Sequence, residues 1–278
     1  MEDVDSTRSL AGAADVGVST LEEFRAEALA QLSTDARISA VLEAGAGSIG
    51  RLDRYSDLDF VLVAADGAYE SLLAARVAVA EGLGPLLACF TGEHVGEPRL
   101  LICLFETPRG DRLLHVDLKV VRADDLARRV DDPFVHFDRT GASRAATAEA
   151  RAVWPNRTPQ WFEDRLWIWV HYAAARAARG EIFEAIDSLG FIRAQVLGPM
   201  ISARAGLPQR GLRRIESVDG ANAALARTLA TPNSRSVRDA LRATAELYRE
   251  LREHSPPPSP RIRAEELAIA YLDLVLPS

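Results

Sequence analysis

Apolar positions along this chain follow two rhythms in succession. Up to residue 121 they come in short runs: 38–43 (ISAVLE), 58–64 (LDFVLVA), 86–91, 100–105 and 113–121. The run LDFVLVA, apolar and rich in β-branched residues, predicts a strand covered on both faces. In RLLHVDLKVV the rhythm alternates, with Leu114, Val116, Leu118 and Val120 facing one way and His115, Asp117 and Lys119 the other. The separators GEHVGEP and ETPRGDR are turn-forming, and connections this short predict a mixed or antiparallel sheet. Helices interleave with these strands. One is expected over 20–33, with Thr20 as its cap, Glu22 and Glu23 in its first turn and Leu21, Phe24, Ala28 and Leu32 as its apolar stripe. A short one is expected over 46–54, and another over 69–82, stopped by Gly82 and Gly84.

From Gln160 the period becomes helical and stays so. WFEDRLWIWVHYAAARAARG follows Pro159 and stops at Gly180, with Phe162, Leu166, Trp169, Val170 and Ala173 on one face. A second helix, apolar at Ile182, Phe183, Ile186, Leu189, Val196 and Leu197, is bent or broken where Gly198 meets Pro199. Further helices are expected over about 219–230, 234–253 and 261–275, separated by TPNS and SPPPSP. The fold class is thus α/β in the α+β sense: a small mixed β-sheet domain over 20–130, then an all-α helical bundle over 159–278. Residues 1–19 read as a mobile leader, and 131–158, rich in Pro, Thr, Asn and Arg, as a connecting arm in which DDPFVHFDRTG reads as one strand followed by a turn at Asp138 to Gly141.

Composition narrows the class further. With 278 residues, 48% hydrophobic and 26% charged, the chain can build two cores. It contains no run of about 18 uncharged apolar residues, so no membrane span is expected. The N-terminal segment lacks the basic and apolar regions of a secretory signal. Cys89 and Cys103 fall inside predicted strands without ligand spacing, which suits reduced core thiols and a cytoplasmic location. A formal net charge of −7 disfavours nucleic acid as a partner, since such proteins present a basic face.

Candidate chemistry gathers in 45–63, GAGSIGRLDRYSDLDFVLV. Alternation sends Asp57 and Asp59 out of the same face of their strand, and two like charges so close recruit a cation. Mg²⁺ suits two carboxylates plus phosphate oxygens. Gly45, Gly47 and Gly50 allow a ligand close to the backbone, while Ser48, Ser56 and Arg51 can donate to phosphate. Gly47-Ser48, eight residues, then Asp57-Leu58-Asp59 opening an apolar strand resembles the signature of the polymerase-β-like nucleotidyltransferase superfamily. That resemblance implies that Asp57 and Asp59 hold the metal and that the Gly47-Ser48 turn holds the terminal phosphates of ATP. It also implies a third acid on a later strand of the same sheet. Asp117 matches by position, as ligand to a second metal or as acceptor of the proton from the attacking hydroxyl. From spacing alone, an ion pair of Asp117 with Lys119 or an arginine is an equal alternative, and His115 reads as structural.

The helical half, through WIWVHY and RGEIFEAID, resembles the C-terminal region of aminoglycoside adenylyltransferases; together the two resemblances cover about 38–205. Glu181, Glu184 and Asp187 recur every three residues and share a helix face opposite Phe183 and Ile186. They are either solvent-facing acids favoured at a helix start or an acidic wall that receives a cationic acceptor. Trp161, Trp167, Trp169 and Tyr172 read as core and interface, and His171 as an inter-helix histidine. The resemblance implies Mg²⁺-dependent transfer of AMP from ATP to a hydroxyl of a small polar acceptor, aminoglycoside-like, as in antibiotic resistance. Rival readings are a protein-modifying adenylyltransferase of the antitoxin type, a nucleotide-binding regulator without turnover, and an enzyme acting on RNA ends.

Overall fold

A computed structural model describes residues 9–107 and 113–277, which divide into two compact units, 1–153 and 154–278. In the first unit six strands form one sheet: β1 (Ile38–Glu43), β2 (Leu58–Ala64), β3 (Leu86–Gly92), β4 (Glu97–Glu106), β5 (Leu113–Val121) and β6 (Phe134–Asp138). Their spatial order is β3-β4-β5-β2-β1-β6. All neighbours are antiparallel except β2 and β5, which run parallel, so the sheet is mixed. Central position explains composition: every residue of β1 is buried, and the apolar run of β2 is covered on both faces. On one face helix α1 (Ser9–Leu32) contributes Leu21, Phe24, Ala28 and Leu32 to a core with Val41, Phe60, Leu62, Leu118 and Phe105. On the other face a smaller cluster joins Ala40, Leu42, Val63, Val121 and Leu126.

Several expectations change here. Helix α1 runs on through Thr20, so Thr20 is not a cap; of the expected leader, 1–8 lie outside the described residues and 9–19 are helical in backbone. The helix expected over 69–82 is two, α2 (Tyr69–Ala74) and α3 (Arg76–Glu81), broken at Ala75, whose ψ of 5° leaves the helical basin. The strand expected in the connecting arm forms as β6, but it pairs with β1 and so belongs to the sheet, and the arm also supplies helix α4 (Ala142–Glu149). Pairing with a strand some ninety residues upstream leaves no local trace, so the strand is legible but its place in the sheet is not.

The second unit is helical: α5 (Pro159–Ala178), α6 (Ile182–Ile192), α7 (Gly198–Arg204), α8 (Ala221–Ala226), α9 (Ser234–His254) and α10 (Ile262–Val275). Thr158 caps α5, its hydroxyl accepting from Trp161 N–H at 3.2 Å, with Pro159 in the first turn where its missing N–H costs nothing. The break expected at Gly198 and Pro199 takes the form of a π-helical turn over 193–197, which absorbs the i−4 hydrogen bond a proline cannot make. Gly198 is also required by packing, because a Cβ there would stand 2.4 Å from the carbonyl oxygen of Gly211. Phe183, expected among the apolar contacts of its helix, is 79% exposed. Among the described residues no helix is long and apolar enough to cross a membrane.

Candidate functional site

The glycine turn is tied to β2 at its root, where Ala44 N–H donates to the carbonyl of Asp59 at 2.8 Å. Gly45 has φ +63°, and a Cβ there would meet Asp59 Oδ2 at 2.1 Å, so both backbone conformation and space demand glycine. Instead of the helix expected over 46–54, a single 3₁₀ turn, Gly47–Ile49, closes at Gly50. Ser48 Oγ donates to the carbonyl of Gly45 at 2.9 Å, and the exposed Arg51 is held through its backbone N–H to Ala46 at 3.0 Å. Ser56, expected as a phosphate donor, is engaged in its own turn: it accepts from Asp53 N–H at 2.9 Å and donates to Asp53 Oδ1 at 3.0 Å.

Asp57 and Asp59, both half-buried, alternate with the buried Leu58 and Phe60 and so share a face. In the parallel pairing of β2 with β5, Asp59 stands directly beside Asp117. Neighbouring strands lie about 4.8 Å apart, so two carboxylates stand side by side on one face. Asp117 is held above the usual carboxylate range, first by burial, with His115 opposing and the charge of Asp57 adding to the rise. His115 Nε2 lies 3.1 Å from Asp117 Oδ1 but off the hydrogen-bond line, and that buried oxygen has no hydrogen bond. The ion pair with Lys119 does not form; Lys119 Nζ lies 2.8 Å from Glu97 Oε2. Among the described residues no three His, Cys, Asp or Glu side chains are drawn into a ready-made metal cage. That suits Mg²⁺, which is commonly bound through one or two carboxylates together with substrate phosphates. An adjacent pair of carboxylates, one with an orphaned buried oxygen, is a donor set that fits such an ion.

Sequence patterns do not single out Glu43. It ends β1 fully buried, with Oε2 at 2.7 Å from His136 Nε2 of β6 and 3.7 Å from Arg25 Nη1 of α1. Its one signal is a carboxylate closing the otherwise apolar run ISAVL, where burial is costly unless paired.

In the helical unit the three candidate acids part company. Glu181, at the start of α6, pairs with Arg176 Nη1 at 2.8 Å. Glu184 and Asp187 line a groove of about 510 Å³ with Ile168, Trp169, Tyr172 and Phe191. Tyr172 donates its hydroxyl to Glu184 Oε1 at 2.8 Å, and the Trp169 and Phe191 rings meet edge to face at 4.9 Å. Of the aromatics expected in the core, Trp167 is buried there, whereas Trp169 and Tyr172 face this groove. His171 stacks on Tyr271 at 4.4 Å between centroids, an inter-helix contact.

No protein-family model matches this chain, and none of the curated proteins does. Among solved structures it is similar to the crystal structure of an aminoglycoside 6-adenyltransferase from Bacillus subtilis, at 15% identity over 91% of this chain and 97% of that one, with a TM-score of 0.41.

Proposed function

We propose that this protein is a Mg²⁺-dependent nucleotidyltransferase that moves AMP from ATP onto a hydroxyl of a small, polar, cationic acceptor. The observation that carries this is the register of Asp59 beside Asp117, next to a glycine turn whose first glycine presses against Asp59. Asp57, Asp59 and Asp117 are the residues to hold the ion, which when bound would neutralise charge on the triphosphate. Gly47, Ser48 and Arg51 are the residues to seat the phosphates, the glycine by letting them approach the backbone and the others by donating hydrogen bonds. The acceptor hydroxyl attacks the α-phosphorus in line and pyrophosphate leaves, so positioning and charge supply most of the rate. Asp117 either completes the ion's ligand set or, left out of it, takes the proton of that hydroxyl.

The groove of the helical unit supports a cationic acceptor. Carboxylates of Glu184 and Asp187 attract amines, the aromatic Trp169 in the lining favours an ammonium, and the volume suits a small molecule. An aminoglycoside meets this description. Pyrophosphate release from Mg·ATP, followed across aminoglycoside, protein and nucleic-acid acceptors, tests the assignment. Asp59→Asn should fold normally yet lose turnover by several orders of magnitude, because a carboxamide cannot neutralise a divalent cation. Equal turnover at an equal melting temperature would overturn it, and Mg·ATP binding without response to any aminoglycoside would shift the acceptor to protein.

A further inference from the structure

Beneath the glycine turn lies a carboxylate that the proposed reaction leaves without a task. Glu43 has no exposed surface, and while Oε2 is held by His136 and Arg25, Oε1 has no hydrogen-bond partner. An unpartnered buried oxygen costs on the order of 1–3 kcal/mol, more when charged. What Oε1 faces is Gly47. A Cβ on Gly47 would stand 1.9 Å from Oε1 and 2.3 Å from Cδ, far inside contact distance. Carboxylate and glycine are therefore shaped to one another. Glu43 is not a further metal ligand: it stands opposite Phe60 in the β1–β2 register and shares the α1 face, whereas Asp59 leaves the other face.

We infer that Glu43 is a positioning residue of the triphosphate site, a floor on which the 45–49 turn rests. Pinned by a helix on one side and an edge strand on the other, the carboxylate occupies the volume under Gly47 and sets the height at which the turn presents its backbone. Arg25 and His136 thereby act on the turn without touching a ligand. This inference rests on the nucleotidyltransferase assignment and extends it to residues on the opposite face of the sheet.

Calorimetric titration of the full chain with Mg·ATP, with melting temperatures and the split between KM and kcat for ATP, tests it. Gly47→Ala should weaken binding and lower kcat/KM for ATP about 100-fold, the scale of effect expected from an ångström of misplacement, and Glu43→Ala about tenfold. Glu43→Gln keeps the volume and the contact with His136, and should bind within about threefold of the unaltered protein. The double variant Glu43→Ala/Gly47→Ala should recover about tenfold over Gly47→Ala alone, since the new methyl takes the vacated space. KM and kcat should both change, because the turn that seats the triphosphate also aligns it for attack. If Glu43→Ala does not fold, Glu43→Asp, one methylene shorter, replaces it in the single and double variants. A folded Glu43→Ala or Glu43→Asp variant that binds as tightly as the unaltered chain, or a double variant no better than Gly47→Ala, overturns the floor while leaving the nucleotide assignment intact. Absence of Mg·ATP binding by the unaltered chain overturns both.

Discussion

Single side chains here divide by whether their charge is matched. Asp117 is poorly matched: half-sheltered, beside Asp59 in register and sensing Asp57. Asp117→Asn should therefore abolish turnover while raising the melting temperature of the metal-free protein, because it removes one of several like charges. An unchanged or lower melting temperature, measured without divalent ions, would contradict the crowding of charge. Glu97 is the opposite case. The hydrogen bond from Arg99, helped by Lys119, holds its carboxyl down at about 2. A carboxyl depressed in the folded state stabilises it above the ordinary value of 4.5, and that contribution is lost as pH falls from there through about 2. Glu97→Gln should lower the melting temperature at pH 7, and the gap to the unaltered protein should close by about pH 2. A gap independent of pH would assign the loss to packing.

At the scale of elements, one buried carboxylate fastens three helices. Glu163 of α5 accepts from the Tyr248 hydroxyl of α9 at 2.5 Å and from Arg261 N–H, at the entry to α10, at 2.7 Å, with Arg252 Nη1 at 3.3 Å. Glu163→Ala should cost about 3 kcal/mol in urea unfolding, since it leaves the buried Tyr248 hydroxyl and the Arg261 N–H short of their acceptor and Arg252 with Glu265 alone. The strands and long helices of this chain are legible because burial imposes a period of 2 or 3.6 on their side chains, as β5 and α5 illustrate. The GS turn and the two aspartates at the start of β2, Asp57 just before it and Asp59 within it, are legible because glycine and adjacent carboxylates are rarely placed so without cause. What escapes is non-local. Glu43 and His136 meet only because β6 joins the sheet, and Trp169 joins Phe191 only where α5 packs on α6. Periodicity marks a tryptophan as apolar-facing without saying whether it faces a core or a groove, and spacing cannot report that Glu181 is already paired with Arg176.

For the whole molecule, a net charge of −7 makes the field around it attractive to cations before any contact forms. Replacing Glu184 and Asp187 by Gln and Asn should raise KM for an amine-bearing acceptor and leave nucleotide affinity alone. In the unaltered protein the same KM should climb with salt, because exposed charges are screened beyond about 8 Å at physiological ionic strength. Steady-state kinetics over a salt series checks both, and a salt-independent KM would point to a neutral acceptor.

The parallel pairing of β2 with β5 also bears on how the molecule comes into being. Between these strands the chain must lay down α2, α3, β3 and β4, so Asp59 and Asp117 become neighbours only after a long loop has closed. Hairpins such as β3–β4 form from local contacts and need not wait for it. A newly made chain thus carries Asp59 and Asp117 well before the two stand side by side. Any ligand that bridges the two strands reports on completed molecules alone, holding back their unfolding without hastening their assembly.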